Sequence, residues 1–260
     1  MKKALLLFTV GNLATFAATI NTSNSRPAPI GATFDVGNPI CTFIGAANCE
    51  LQPLIHSMNG APRTNLEIDQ QPAGLWRLPG INPSTSLVFR IEVTGGADVQ
   101  KLGIWSDADM DASTTGDRTL IDIFKGSATN NDVAQLSFNS LTGAMTITGG
   151  PGVNNVTDAI GINVGAFGFY LQTTLGGQDF TWFSADQLNP NGTAQSLAFR
   201  NGDQWFIGFE DIERPGGDRD HNDLIFSVTD LEALPEPGFF AVVGIGMAVL
   251  CWVHRRHARN

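Results

Sequence analysis

Histidine is scarce in this chain, and the sequence signatures of the commonest catalytic machinery are missing. Of the four histidines, His254 and His257 stand in the last seven residues, which leaves only His56 and His221 for the body of the protein. There is no Gly-x-Ser-x-Gly turn to expose a nucleophile and no His-Glu-x-x-His pattern to hold a catalytic zinc. Nucleophilic catalysis needs a nucleophile beside an oriented base, and little here can serve as that base. Paired carboxylates for glycoside cleavage stay open, because their pairing is spatial rather than sequential. The expectation is that the chain is not an enzyme.

Basic residues are equally sparse outside the two ends. Residues 18–234 hold 24 acidic against 10 basic side chains, a formal charge of −14. Such a surface lacks the electrostatic footprint for nucleic acid or anionic lipid headgroups and attracts cations instead. Nucleic acid is therefore excluded as a partner, and divalent metal is the natural one. The length of this segment suffices for one domain with a sizeable core.

Cysteine is limited to three residues. Cys41 and Cys49 enclose a seven-residue segment, a spacing that in an oxidising compartment suits a loop-closing disulfide, with two unpaired thiols as the alternative. Cys251 lies inside an apolar run near the C-terminus, out of reach of the other two.

A convincing amphipathic helix is also absent. Residues 19–84 are rich in Asn, Pro, Gly and Thr and read as a loop-rich N-terminal segment with one or two edge strands, packing on the β-rich body. From there alternation takes over: Leu87, Phe89, Ile91 and Val93 point one way while Val88, Arg90 and Glu92 point the other. Similar short runs recur at 102–105, 120–124, 133–138, 145–148, 167–172, 180–183, 204–209 and 224–228. Gly95-Gly96, Leu141-Thr142-Gly143, Gly176-Gly177 and Asn189-Pro190-Asn191-Gly192 supply the turn residues between them. The expected fold over 85–234 is all-β, an antiparallel and jelly-roll-like β-sandwich, with a closed barrel as the alternative.

Both ends carry targeting features. Met1-Lys2-Lys3 followed by apolar residues 4–10 has the charged start and short apolar stretch of an export signal, with cleavage expected near Ala17 or Ala18, so residues 1–18 read as a signal peptide. At the other end Pro235-Glu236-Pro237 precedes 16 uncharged, mostly apolar residues, 238–253, and a basic tail with Arg255, Arg256 and Arg259. Arginines behind an apolar run resist export and hold the tail in the cytoplasm, so a transmembrane helix over 238–253 is expected. At about 1.5 Å per residue it covers roughly 24 Å, short of the ~30 Å hydrocarbon core, which suits a temporary anchor.

The order of these three elements over 235–260 resembles the PEP-CTERM sorting signal of Gram-negative bacteria. The resemblance implies an exosortase-type processing enzyme acting near the tripeptide, transient anchoring in the inner membrane through the C-terminal helix, and release to the cell surface or extracellular matrix. It also implies extracellular polysaccharide as a matrix partner.

The chemistry concentrates between Glu210 and Asp223, where seven oxygen-bearing side chains lie within 14 residues. A strand with Trp205, Ile207 and Phe209 facing inward delivers Glu210 and Asp211 at its end. Pro215-Gly216-Gly217 then turns the chain into Asp218, Asp220, Asn222 and Asp223. Calcium takes six to eight oxygen ligands from carboxylates, amides and carbonyls, and alternate residues on a curved loop can aim at one ion. The loop is not an EF-hand, since Asp223 stands at its sixth position and Thr229 at its twelfth. Zinc would ask for His or Cys, and only His221 is near. Calcium is the expected cofactor, held by Glu210, Asp211, Asp218, Asp220, Asn222 and Asp223. A weaker second site is read at Asp107, Asp109 and Asp111, with a solvated hairpin loop as its alternative.

Phe209-Glu210-Asp211, Gly216-Gly217-Asp218 and Asp220-His221-Asn222-Asp223 resemble the closing motifs of domain-of-unknown-function family 4114. Gly168-Phe169-Tyr170-Leu171, Phe183-Ser184 and Leu188-Asn189-Pro190-Asn191-Gly192 extend the likeness over about 160–230. The resemblance implies an exported surface protein, a β-sandwich and a calcium-type acidic loop. It also implies a packing role for His221, where the family often has an aromatic.

Two functions are expected from these features. The first is an exported structural or adhesive module with a calcium-stabilised loop. The second is a carbohydrate-binding module, should Trp76, Trp105, Trp182 or Trp205 offer a ring face to a sugar.

Overall fold

Alternation of apolar and polar residues becomes strand wherever the sequence shows it. The computed structural model describes residues 51–58, 64–79, 85–93, 100–107, 117–126, 128, 132–139, 143–211 and 221–234. Two short helices come first, α1 (Leu51–Ser57) and α2 (Leu66–Asp69), followed by two-residue strands β1 (Gln70–Gln71) and β2 (Trp76–Arg77). The body consists of β3 (Thr85–Val93), β4 (Lys101–Ser106), β5 (Thr119–Phe124), β6 (Asp132–Phe138), β7 (Met145–Gly149), β8 (Val156–Ala159), β9 (Gly168–Leu175), β10 (Gln178–Phe183), β11 (Ser196–Asn201), β12 (Gln204–Phe209) and β13 (Leu224–Thr229). A last short strand, β14 (Glu232–Ala233), pairs with β2.

Two antiparallel sheets of unequal width result. The larger has the order β1-β11-β12-β13-β3-β6-β7-β8 and the smaller β10-β9-β4-β5. The class is all-β, as the sequence leads one to expect.

The two sheets meet through their inward faces. Leu102, Ile104, Phe169, Leu171 and Trp182 of the smaller sheet share one buried cluster with Leu136, Ile147, Trp205, Ile207, Phe209, Leu224 and Phe226 of the larger. The Phe169 ring lies 4.9 Å from that of Phe226, one strand from each sheet. Trp76 wedges into the same cluster, 5.1 Å from Phe169 and 5.9 Å from Trp205. Each fully buried ring contributes about 1.5–3 kcal/mol, so this aromatic seam dominates the packing of the two layers.

Period-two patterning places the intervening residues on the outer faces. Phe199, Phe206 and Ile225 point away from the shared core and bury Leu51, Leu54, Ile55 and Met58 of the α1 region against the outside of the larger sheet. On the outside of the smaller sheet Trp105 and Tyr170 pack with Leu75 and Ala185. Turn chemistry fixes the registers. Gly176 and Gly177, with φ of 59° and 83°, close the β9–β10 hairpin with the paired positive angles of a type I′ turn.

Asn189 holds the β10–β11 connection by accepting from the Phe183 amide at 2.7 Å and donating to the Phe183 and Thr193 carbonyls.

The helix α1 departs from the loop-rich reading of residues 19–84. Leu51, Leu54, Ile55 and Met58 recur at helical spacing, and that stripe is buried. Pro53 sits in the first turn, where a missing N–H costs nothing. The strand β11 also adds to the sequence reading. Its alternation is carried by only Leu197 and Phe199 on one side and the small Ala198 on the other, too faint a pattern to stand out.

Among the described residues no helix is long and apolar enough to cross a membrane. The expected signal peptide, the Cys41–Cys49 pair, Pro235, Glu236, Pro237, the 238–253 span, Arg255 and Arg256 lie outside the described residues.

Candidate metal centre

The site forms where β12 ends and β13 begins. Trp205, Ile207 and Phe209 anchor β12 in the shared core, so the chain leaves that core at Glu210 and Asp211 while still pinned to its neighbours. The Glu210 amide donates to the Gln195 carbonyl at 2.9 Å. The Asp211 amide donates to Asp223 Oδ2 at 2.8 Å, which joins the departing strand to the returning one.

One carboxylate oxygen each from Glu210, Asp211 and Asp223 lies within 4.8 Å of the others. Glu210 is 3 % exposed and Asp211 5 %. At such a separation, like charges repel by about 3 kcal/mol per pair at an effective dielectric near 20. A cation between them would offset that repulsion. Oxygens that close could serve one cation together. The donors are all oxygen, which suits a hard cation rather than zinc.

Two residues from the smaller sheet reach this cluster. Gln100, just ahead of β4, donates from Nε2 to Asp211 Oδ2 at 2.7 Å. Trp182 of β10 donates from Nε1 to the Asp211 carbonyl at 2.8 Å. Neither is legible in the sequence as a neighbour of the acidic cluster: Gln100 stands 111 positions from Asp211 with no local pattern to mark it, and Trp182 reads there only as a candidate sugar platform.

His221 takes the structural part. It is buried, has a φ of 57°, and places its ring Nε2 3.4 Å from the Ala194 carbonyl. Its own carbonyl presses against Gly208 of β12, where a Cβ would come within 2.3 Å of that oxygen. Glycine at 208 thus lets the returning chain approach closely enough to bring Asp223 to Asp211. Asn222 is 9 % exposed and follows on the same approach. Asp218 and Asp220 lie outside the described residues.

Of the second expected cluster, only Asp107 is among the described residues. Asp107 is fully buried and accepts from Arg118 Nε at 3.2 Å, an ion pair between the residue after β4 and the residue before β5. Its carboxylate is engaged by guanidinium, and the Arg118 charge also lies 5.9 Å from the Phe183 ring centre. Asp109 and Asp111 lie outside the described residues.

The four tryptophans that motivated a sugar platform are core residues. Trp76 and Trp105 are 0 % exposed, Trp205 1 % and Trp182 3 %, so none offers a ring face to a ligand. A groove of about 610 Å³ does run over the outer side of β5 and β9, lined by Leu120, Asp122, Asn154, Ile160, Tyr170 and Gln172 among others. Within it the Tyr170 hydroxyl donates to Asp122 Oδ1, and Lys101 lies 3.8 Å from the other oxygen of Asp122. Burial pushes the Tyr170 hydroxyl well above the usual phenol range, and the hydrogen bond and charge of Asp122 add to that. It keeps its proton.

Residues 162–230 match the model of a family described as a domain of unknown function (DUF4114), a segment that contains β9 to β13 and the whole acidic connection. No curated protein and no solved structure matches the chain.

Proposed function

We propose that this chain is an exported structural or adhesive module of the cell surface or extracellular matrix, a jelly-roll-like β-sandwich whose acidic connection is stabilised by calcium, and not an enzyme. The observation that carries the reading is the convergence of Glu210, Asp211 and Asp223, three carboxylates within 4.8 Å at the seam of two strands. A cation there would hold β12 to β13 and stiffen the end of the sandwich. Export by the N-terminal signal, a transient inner-membrane anchor over 238–253 and release by an exosortase-type enzyme at Pro235-Glu236-Pro237 complete the proposal. The sequence features at both ends support that part. The burial of all four candidate tryptophans removes the observation that motivated a carbohydrate-binding module.

Thermal unfolding of the full-length chain in mild detergent, with chelator and then with calcium, tests the central claim. With a dissociation constant near 0.1 mM, about 5 mM calcium adds about 2.3 kcal/mol by linkage and raises Tm by roughly 5 to 9 °C. The Glu210→Gln/Asp223→Asn variant should lose that rise while its chelated form melts no lower, because the repulsion has been removed. An unchanged Tm in the unsubstituted protein would sink the calcium reading.

A further inference from the structure

Gly103 of β4 is paired with Asp122 of β5 on one side and with Tyr170 of β9 on the other. Any Cβ at this position would strike the Tyr170 ring, so glycine lets that ring lie across β4 and bring its hydroxyl to Asp122 Oδ1 on the far strand. Lys101, two residues earlier and on the same face of β4, donates from Nζ to Gln172 Oε1 at 3.1 Å and stands 3.8 Å from Asp122 Oδ2. Two side chains thus hold Asp122 and Gln172 in place on the lining of the groove of about 610 Å³. Among the described residues these hydrogen bonds occupy one oxygen of Asp122 and the amide oxygen of Gln172. Asp122 Oδ2 is left as an acceptor and Gln172 Nε2 as a donor. Leu120, 42 % exposed, and Ile160, 72 % exposed, line the same groove. They are two of the four large apolar side chains that the described residues expose, so apolar surface and placed polar groups coincide here.

We infer that this groove binds a neutral saccharide, with Asp122 accepting from one sugar hydroxyl, Gln172 donating to another, and a C–H face of the ring resting on Leu120 and Ile160. A sugar ring carries hydroxyls at its edge and C–H groups on its faces, which is the combination of acceptor, donor and aliphatic contact that the lining offers. Ligand sites of this size commonly join apolar surface to a few placed polar groups. An anionic polymer fits poorly. No lysine or arginine is among the described residues that line the groove, and residues 18–234 carry a formal charge of −14. A peptide added as an extra strand would need the outer edge of β5, and that edge is taken. The Asn154 amide donates to the Ile123 carbonyl at 2.8 Å, Asn154 Nδ2 to the Asp122 carbonyl at 3.0 Å, and the Lys125 amide to the Gly152 carbonyl at 2.9 Å. The inference rests on the adhesive part of the reading above and supplies its ligand class; it uses neither the acidic connection nor the buried tryptophans.

Electrophoresis of the full-length chain in mild detergent tests it, through native gels containing dextran, galactomannan or laminarin as neutral polymers, polygalacturonate as an anionic one, or gelatin as a polypeptide. At least one neutral polymer should retard the protein, and polygalacturonate and gelatin should not. Gln172→Ala removes the donor and should weaken retention about tenfold. Asp122→Asn keeps an acceptor for Tyr170 but places an amide donor where the second oxygen stood, and a similar loss is expected. Should that variant fail to fold, the half-buried Gln172 gives the readout alone. Retention by a neutral polymer that both variants preserve would place the saccharide elsewhere and overturn the inference, as would retention by polygalacturonate or gelatin alone. Absence of retention in every gel would also overturn it, together with the adhesive part of the reading. A calcium-induced rise in Tm in that same protein would leave the metal-stabilised structural module standing.

Discussion

The indole Nε1 of Trp182 donates a 2.8 Å hydrogen bond to the main-chain carbonyl of Asp211. Trp182 is inward on the smaller sheet and Asp211 is the second residue beyond the end of β12 in the larger, so this bond fastens one layer to the acidic connection of the other. Trp182→Phe preserves an apolar ring beside Phe180, with which Trp182 stacks at 5.9 Å, but it leaves a buried carbonyl without its donor. The expected loss is about 2 kcal/mol, read as a fall in Tm in chelator. Calcium should still raise Tm in this variant, since the carboxylates stay in place; a wild-type Tm in chelator would show the bond to be inconsequential.

Gly208 is predicted to be intolerant of any side chain. A Cβ there would lie 2.3 Å from the His221 carbonyl oxygen and 3.2 Å from Leu51 Cδ1, and the first of these is backbone that cannot swing aside. Gly208→Ala should cost about 1–3 kcal/mol by overpacking and should also blunt the calcium-induced rise in Tm, because moving His221 displaces Asp223. Gly150→Ala makes the control. Its nearest contact would be 3.8 Å, and an effect within about 0.5 kcal/mol is expected from thermal unfolding.

These two residues show what the sequence discloses and what it withholds. The inward set Trp205, Ile207 and Phe209 is readable because strand side chains alternate and those three are large; with them comes the delivery of Glu210 and Asp211 to one end. The convergence of Asp223 with them is readable from the short return of the chain. Gln100 and Trp182 are not readable, because their roles arise from how a second sheet is laid over the first, and no local spacing records that distance. The α1 region falls between these cases. Leu51, Leu54, Ile55 and Met58 have helical periodicity, but only two turns of it amid Pro and Asn, too short to outweigh the surrounding loop composition. The tryptophans illustrate the opposite failure: aromatic residues in an exported chain invite a ligand reading, yet their apolar area is spent on the layer seam.

Arg118→Ala should destabilise the fold without touching the calcium response. The Arg118 side chain is 8 % exposed and faces Asp107, which is 0 % exposed, so truncation strips a buried carboxylate of its guanidinium. Breaking such a pair costs about 3 kcal/mol, which a urea melt in chelator would register as a lower midpoint. The calcium-induced rise in Tm should match that of the unsubstituted protein, because Glu210, Asp211 and Asp223 are a separate group. A changed calcium response would support the expected second site at Asp107.

Tyr170 provides a prediction about alkaline pH, and it is the chain's only tyrosine, so the signal is unambiguous. Burial first, then the hydrogen bond and charge of Asp122, hold its hydroxyl above the ordinary value of about 10 in the folded state. Above pH 10 the unfolded chain gives up this proton while the folded chain retains it, so the unfolded state binds fewer protons and stability falls as pH rises. The contribution is therefore fully present below about pH 10 and is lost progressively above it. Tyrosinate absorbance should accordingly appear together with the loss of tertiary structure, and not as a separate earlier titration. In Tyr170→Phe, neutral-pH stability should drop by about 1 kcal/mol through the lost hydrogen bond, and the decline above pH 10 should become shallower. Ionisation of Tyr170 in a still-folded protein, seen as tyrosinate absorbance with near-ultraviolet circular dichroism unchanged, would show that the outer groove over β5 and β9 admits solvent to the hydroxyl and that Asp122 does not hold it.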